Sequence, residues 1–169
     1  MKRHSSFHFT YAIVVSLQAA IFLIIILKIF NLEKIHLAAL GSSAFAAFCF
    51  PTMKTAKTRH LIGSYFIAIL IGMLFSYFSS FSVILDVPWH EAIIGGLSVG
   101  ALMIVLILLS LEHPPSAGIA LSFVLQLWDW KTPIYLMASI LILAFFRWII
   151  MKWSPIFQSR KAQNLIKKE

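Results

Sequence analysis

Four apolar runs of about twenty residues, at 9–30, 61–82, 91–111 and 132–151, constrain this chain more than any other feature. A run of that length matches the ~30 Å hydrocarbon core of a bilayer, where a helix survives because it satisfies its own backbone hydrogen bonds. With 60% hydrophobic and 12% charged residues and a mean hydropathy of +0.91, the 169 residues read as an all-α polytopic membrane protein. One transmembrane domain over 1–169 leaves no room for a separate soluble domain. Lys2 and Arg3 precede a first run that is long for a signal-peptide core and lacks a small-residue cleavage site, so it reads as a retained span.

Two shorter runs lie between the long ones: Ile35–Phe50, closed by Pro51, and Ser116–Trp128. Each is a half-helix by length and either crosses thinly or re-enters. Basic residues favour crossing. Lys2 and Arg3 lie in the N-terminal tail, Lys54, Lys57 and Arg59 in the loop after Pro51, and Lys152, Arg160, Lys161, Lys167 and Lys168 near the C-terminus, while the loop 82–90 carries none. If both short runs cross, all three basic regions share one side, as cytoplasmic segments do. Lys28 and Lys34 on the outer side count against this choice. The expectation is an inner (plasma) membrane protein of bacterial type, with both termini and a basic tail at 154–169 in the cytoplasm. The formal charge of +8 then orients the chain in a lipid bilayer and implies no nucleic-acid partner.

Crossing exposes a repeat. Since 113 − 36 = 77 and 118 − 41 = 77, His36 and Gly41 match His113 and Gly118 at one offset. Each half is a long span, a short segment and a long span, at 9–82 and 86–153, and three crossings per half make the second pseudo-symmetric half inverted. Paired short segments in inverted halves point to a transporter's central site. Small residues recur every four positions at Ala92, Gly96 and Gly100, and at Ser64, Ala68, Gly72 and Ser76. Both faces suit close helix packing, within the chain or between copies in a homo-oligomer.

Chemistry concentrates at Glu112-His113-Pro114-Pro115-Ser116-Ala117-Gly118. The prolines cannot continue the helix arriving through Leu111 but suit the first turn of a new one, whose free N–H groups would face His113 and Glu112. Ionisable groups at membrane depth are costly and point to function, with His113 and Glu112 the proton-coupling candidates. The plain alternative is a helix break with a capping histidine. His36, beside Glu33 and Lys34, has the weaker case, and Glu91 with His90 reads as the acidic first turn of a helix.

Enzyme patterns fail. His90-Glu91-Ala92-Ile93-Ile94 has Ile94 where a zinc helix needs its second histidine, and Ser116 lacks a nucleophile elbow. Cys49 alone forms neither disulfide nor metal cluster. No cofactor or metal is expected, and no enzyme.

Glu112-His113-Pro114-Pro115 followed by small residues resembles the signature of the HPP family of integral membrane proteins. Gly41-Ser42-Ser43-Ala44, Pro51 and Arg59-His60-Leu61-Ile62-Gly63 resemble that family's first-half landmarks, and the similarity covers about residues 10–150. Members are described as having four transmembrane helices, which would make the short segments re-entrant. Plant-plastid and cyanobacterial relatives are associated with nitrite transport, so the resemblance implies a small-anion transporter. The expected site takes a small monovalent anion at two half-helix N-termini meeting near the midplane. Gly41, Ser42 and Ser43 on one side and Pro114, Pro115, Ser116 and Gly118 on the other would supply N–H groups and hydroxyls, beside His113 and His36. A non-transporting membrane subunit or scaffold, and a transporter of a different small solute, remain alternatives.

Overall fold

The computed structural model describes the backbone over 2–30, 32, 34–84 and 89–153, and side chains over 12–30, 32, 35–80 and 89–152. The basic tail 154–169 and the side chains of Lys2, Arg3, Glu33, Lys34 and Asp86 fall outside this. Among the described residues the fold is all helical: α1 (Lys2–Phe30), α2 (Lys34–Cys49), a 3-10 turn (Lys54–Ala56), α3 (Thr58–Ile84), α4 (His90–Leu108), α5 (Ser116–Leu125) and α6 (Lys131–Trp153). Helices α1, α3, α4 and α6 are long and apolar enough to cross a membrane, and α2 and α5 are the two short ones. Ile24, Leu70, Leu74, Ile104 and Phe145 are more than half or nearly half exposed on the long helices, as faces turned to lipid require.

Two boundaries differ from the apolar pattern. Helix α4 stops at Leu108, before the prolines, because Ser110 adopts a left-handed φ of 51° and the Leu111 N–H turns back to Leu106 O at 2.9 Å. That is a Schellman-type stop in which serine occupies the place glycine usually takes. At the other boundary α5 ends at Leu125, so at ~1.5 Å per residue it covers only about 15 Å. Gln126–Trp130 carries the chain onward without helix.

The short segments nevertheless traverse the bundle rather than fold back. Residues 50–57 meet residues 109–115 at one end, through a hydrogen bond from His113 to Thr55. Residues 126–130 reach the far end of α3, where Trp128 Nε1 donates to Ser76 Oγ at 2.9 Å. Helix α2 runs antiparallel to α5: His36 in its first turn packs on Phe123 in the last turn of α5, and Ser43 lies beside His113 at the start of α5. The two short-helix N-termini therefore do not meet; they lie at opposite ends of an antiparallel pair.

Helix pairing has a symmetry of its own. Helix α1 packs on α2 as α4 does on α5, α3 on α4 as α6 does on α1, and α3 on α5 as α6 does on α2. The remaining helix pairs, α2 with α5 and α3 with α6, exchange into themselves. Replacing the first three helices by the last three leaves this set unchanged.

The core lies where α2, α3 and α5 meet, around Leu40, Tyr65, Ala68, Ile119 and Phe123, with Leu136 and Ile140 of α6. One small-residue face serves it. Ser64 and Ala68 are buried, and a Cβ on Gly72 would sit 3.0 Å from the Ala120 carbonyl oxygen, so glycine is what lets α3 touch the α5 backbone. The Ala92, Gly96 and Gly100 face of α4 points outward, with nothing within 4 Å of a Cβ at either glycine. Helix α4 packs instead through Gly95, where a Cβ would lie 2.8 Å from Leu121 Cδ1, and through Ser98, Leu102 and Leu106. The four-residue spacing was real on both helices, but on α4 the buried row is Ile94, Ser98, Leu102 and Leu106, two residues out of step with the glycine face.

Candidate functional site

The motif His113-Pro114-Pro115 sits where three sequence landmarks converge. The left-handed turn at Ser110 and the two prolines fix the loop 109–115. From it His113 enters the bundle, 1% exposed, although it is not part of any helix. Its ring is held at both nitrogens: Nδ1 lies 2.8 Å from the Thr55 carbonyl oxygen and Nε2 lies 2.9 Å from Ser43 Oγ. A carbonyl only accepts, so Nδ1 carries the proton and donates, and the neutral ring accepts the Ser43 hydroxyl at Nε2. Burial pushes this imidazole down to about 4 from 6.5; its hydrogen bond to Thr55 opposes that shift and nearby His60 adds to it. In this arrangement the ring is neutral at physiological pH. Taking up a proton requires that surroundings change first.

Ser43 passes the network inward. Its Oγ lies 2.7 Å from Tyr65 Oη, which donates to the Ala39 carbonyl oxygen at 3.2 Å. Ser42, Ser64, Ser98, Ser116, Ser122 and Ser139 each donate to a carbonyl three or four residues back on their own chain. Ser43 instead points across to two other elements. The chain of hydroxyls has two senses: with neutral His113, Ser43 donates to Nε2 and accepts from Tyr65, whose single proton is then drawn away from the Ala39 carbonyl. With a proton on Nε2, Ser43 would accept from it and donate to Tyr65.

Expected site residues divide accordingly. The structure brings together Ser43 and His113, with Ser116 tied to the His113 carbonyl at 2.7 Å. The expected N–H donors are already used. Ser116, Ala117 and Gly118 donate to the carbonyls of His113, Pro114 and Pro115, because both prolines form the turn that leads directly into α5. Gly41, Ser42 and Ser43 lie inside α2, where their N–H groups belong to the helix. Gly118 is a packing residue, since a Cβ there would lie 3.3 Å from Ala39 Cβ, and Gly41 faces Leu23 with room for one at 3.8 Å. Pro114 is exposed and Pro115 half-buried. Glu112 stays at the surface, its carboxylate 3.8 Å from Lys54 Nζ, a pairing of small energetic weight at that exposure. His36 is buried and lies at the far end of the α2–α5 pair, beside Phe123 rather than beside His113.

Residues the sequence reading passed over complete the site. Tyr65 looks like any aromatic in an apolar span, and only tertiary structure sets its hydroxyl against Ser43. Thr55 contributes a backbone atom, for which side-chain chemistry gives no signal. Arg147 was the legible omission, a guanidinium inside an apolar run. It holds the same loop from the α6 side, donating from Nη2 to Pro51 O at 2.6 Å and from Nη1 to Thr58 Oγ1 at 3.4 Å. His60 Nδ1 donates to Glu112 O at 3.3 Å, and a Cβ on Gly63 would meet Leu111 Cδ1 at 3.0 Å. The glycine-serine stretch of α2, Pro51, the start of α3 and the His-Pro-Pro loop thus form one cluster at the end bearing Lys54, Lys57 and Arg59. No group of three or more metal-ligating side chains occurs among the described residues.

Comparison with curated proteins gives no match, and comparison with solved structures gives none. The family model described as "HPP, transmembrane region" matches residues 2–160, which takes in all six helices and the whole cluster around His113. The landmarks that meet in space are those by which the sequence resembled that family, and the chain belongs to the HPP family of integral membrane proteins.

Proposed function

We propose that this protein transports a small monovalent anion across the membrane, with nitrite as the substrate the family resemblance points to, and that it is not an enzyme. The observation that carries this reading is His113, a buried imidazole held between a removable loop carbonyl and a hydroxyl pair in an otherwise apolar bundle. Release of the Thr55 carbonyl would expose an N–H donor backed by Ser43 and Tyr65. Imidazole and hydroxyl donors then do what was first expected of helix N-termini. Charge favours an anion at this end, which carries Lys54, Lys57, Arg59 and Arg147, with Glu112, paired to Lys54, the one acidic residue of the cluster among the described residues. The exchange symmetry of the helix pairs supports inverted halves, 9–82 and 86–153, and with the basic loop supports an inner membrane protein with cytoplasmic termini. Purified protein in liposomes tests this: wild type should carry nitrite and exclude potassium, and His113→Ala should lose most flux while remaining folded.

A membrane subunit without transport is the second reading, favoured by the outward glycine face of α4, which offers Gly96 and Gly100 to a second copy or another helix. Absence of any solute flux from monodisperse protein would decide for it.

A further inference from the structure

The offset of 77 that relates the two histidines also pairs Lys54-Thr55 with Lys131-Thr132. Four matched positions lie at equivalent places: each histidine near the start of a short helix, each Lys-Thr pair just before or at the start of the long helix that follows. Their surroundings differ. At the His113 end the Thr55 carbonyl sits 2.8 Å from the ring. At the His36 end a cavity of about 560 Å³ is bounded by His36, Trp128, Asp129, Lys131, Thr132 and Tyr135. His36 is 1% exposed at its base, against the Phe123 ring at 5.8 Å.

We infer that this cavity is a second anion site, the open counterpart of the one closed at His113, through which the substrate enters or leaves at the face opposite the basic loop. The inference rests on the transport reading above. Lys131 brings an ammonium to the rim and Tyr135 a hydroxyl, while the Thr132 hydroxyl is given to Asp129. Among the described residues the one carboxylate in the lining is engaged: Asp129 Oδ1 accepts from Lys131 N at 3.1 Å, Thr132 N at 3.0 Å and Thr132 Oγ1 at 2.9 Å, capping α6. Its charge is thereby directed at the helix N-terminus. The volume exceeds that of a small anion several times over, which leaves its hydration shell in place at entry. Exchange of the halves describes the other state, with the Lys131-Thr132 segment closed over His36 and His113 opened.

Reciprocal accessibility tests it in the full-length protein reconstituted into phosphatidylcholine–phosphatidylglycerol vesicles. On a Cys49→Ser background, Thr132→Cys and Thr55→Cys are labelled by a membrane-impermeant maleimide added to either side, with and without sodium nitrite. Nitrite should slow labelling at 132 about tenfold and accelerate labelling at 55 from the opposite side. Tyr135→Cys is the alternative reporter should Thr132→Cys fail to fold. Lys131→Gln should raise the KM for nitrite about tenfold with little change in maximal rate, and Lys131→Arg should restore it. Nitrite flux with no protection at 132 or 135, or with an unchanged KM in Lys131→Gln, overturns the second site and leaves the transport reading standing. No anion flux from wild type overturns both.

Discussion

At the scale of single residues, His113 acts through its position between a carbonyl that only accepts and a hydroxyl that can donate or accept. Its pKa is lowered to about 4 by burial, so between that value and 6.5 the unfolded chain binds more protons than the folded one. The stabilising contribution of the neutral ring is therefore complete above about pH 6.5 and is lost progressively as pH falls toward 4. Thermal unfolding in detergent should show wild type losing more stability from about pH 7 to about pH 5 than His113→Gln, which cannot titrate. Parallel curves would show that the ring does not titrate there. Tyr65→Phe should cost about 1–3 kcal/mol by leaving Ser43 with an unmet partner in a buried site, and chemical or thermal denaturation reads it directly. The histidine was legible in the sequence because an ionisable side chain stands out in an apolar run. Tyr65 and the Thr55 carbonyl were not, since their roles arise only from packing across 22 and 58 residues of chain.

At the scale of elements, glycine placement decides how closely helices approach. Gly72→Ala would press a methyl group onto the Ala120 backbone, which cannot move aside, and should destabilise by roughly 1–3 kcal/mol. Gly41→Ala meets only Leu23 at van der Waals distance and should be neutral within about 0.5 kcal/mol, so the pair of variants in one unfolding assay separates packing from helix propensity. Four long helices and two short ones were readable from apolar run length. The end of α4 was not, because a left-handed serine stops that helix ahead of the prolines. Equally hidden was the fate of the N–H groups at the start of α5: the prolines that announce a helix start also supply the carbonyls that occupy them. Arg147→Gln should free the loop 50–57 from α6 and speed proteolysis or labelling within it, with Arg147→Lys intermediate because it keeps charge but loses the planar fork.

At the scale of the whole molecule, membrane insertion and family follow from pattern alone, since every long apolar run recurs as a helix and the landmarks keep their order. The proposed inverted arrangement rests on two positions matched at one offset and on helix pairing that no local pattern encodes. Transport is the claim on which the account turns. The direct measurement is nitrite uptake into liposomes containing only this purified protein, compared with His113→Ala and with protein-free liposomes. Wild type should show saturable nitrite flux, at least about tenfold above the variant and unaccompanied by potassium flux. Equal flux in wild type and His113→Ala, or potassium carried in preference to nitrite, would contradict it.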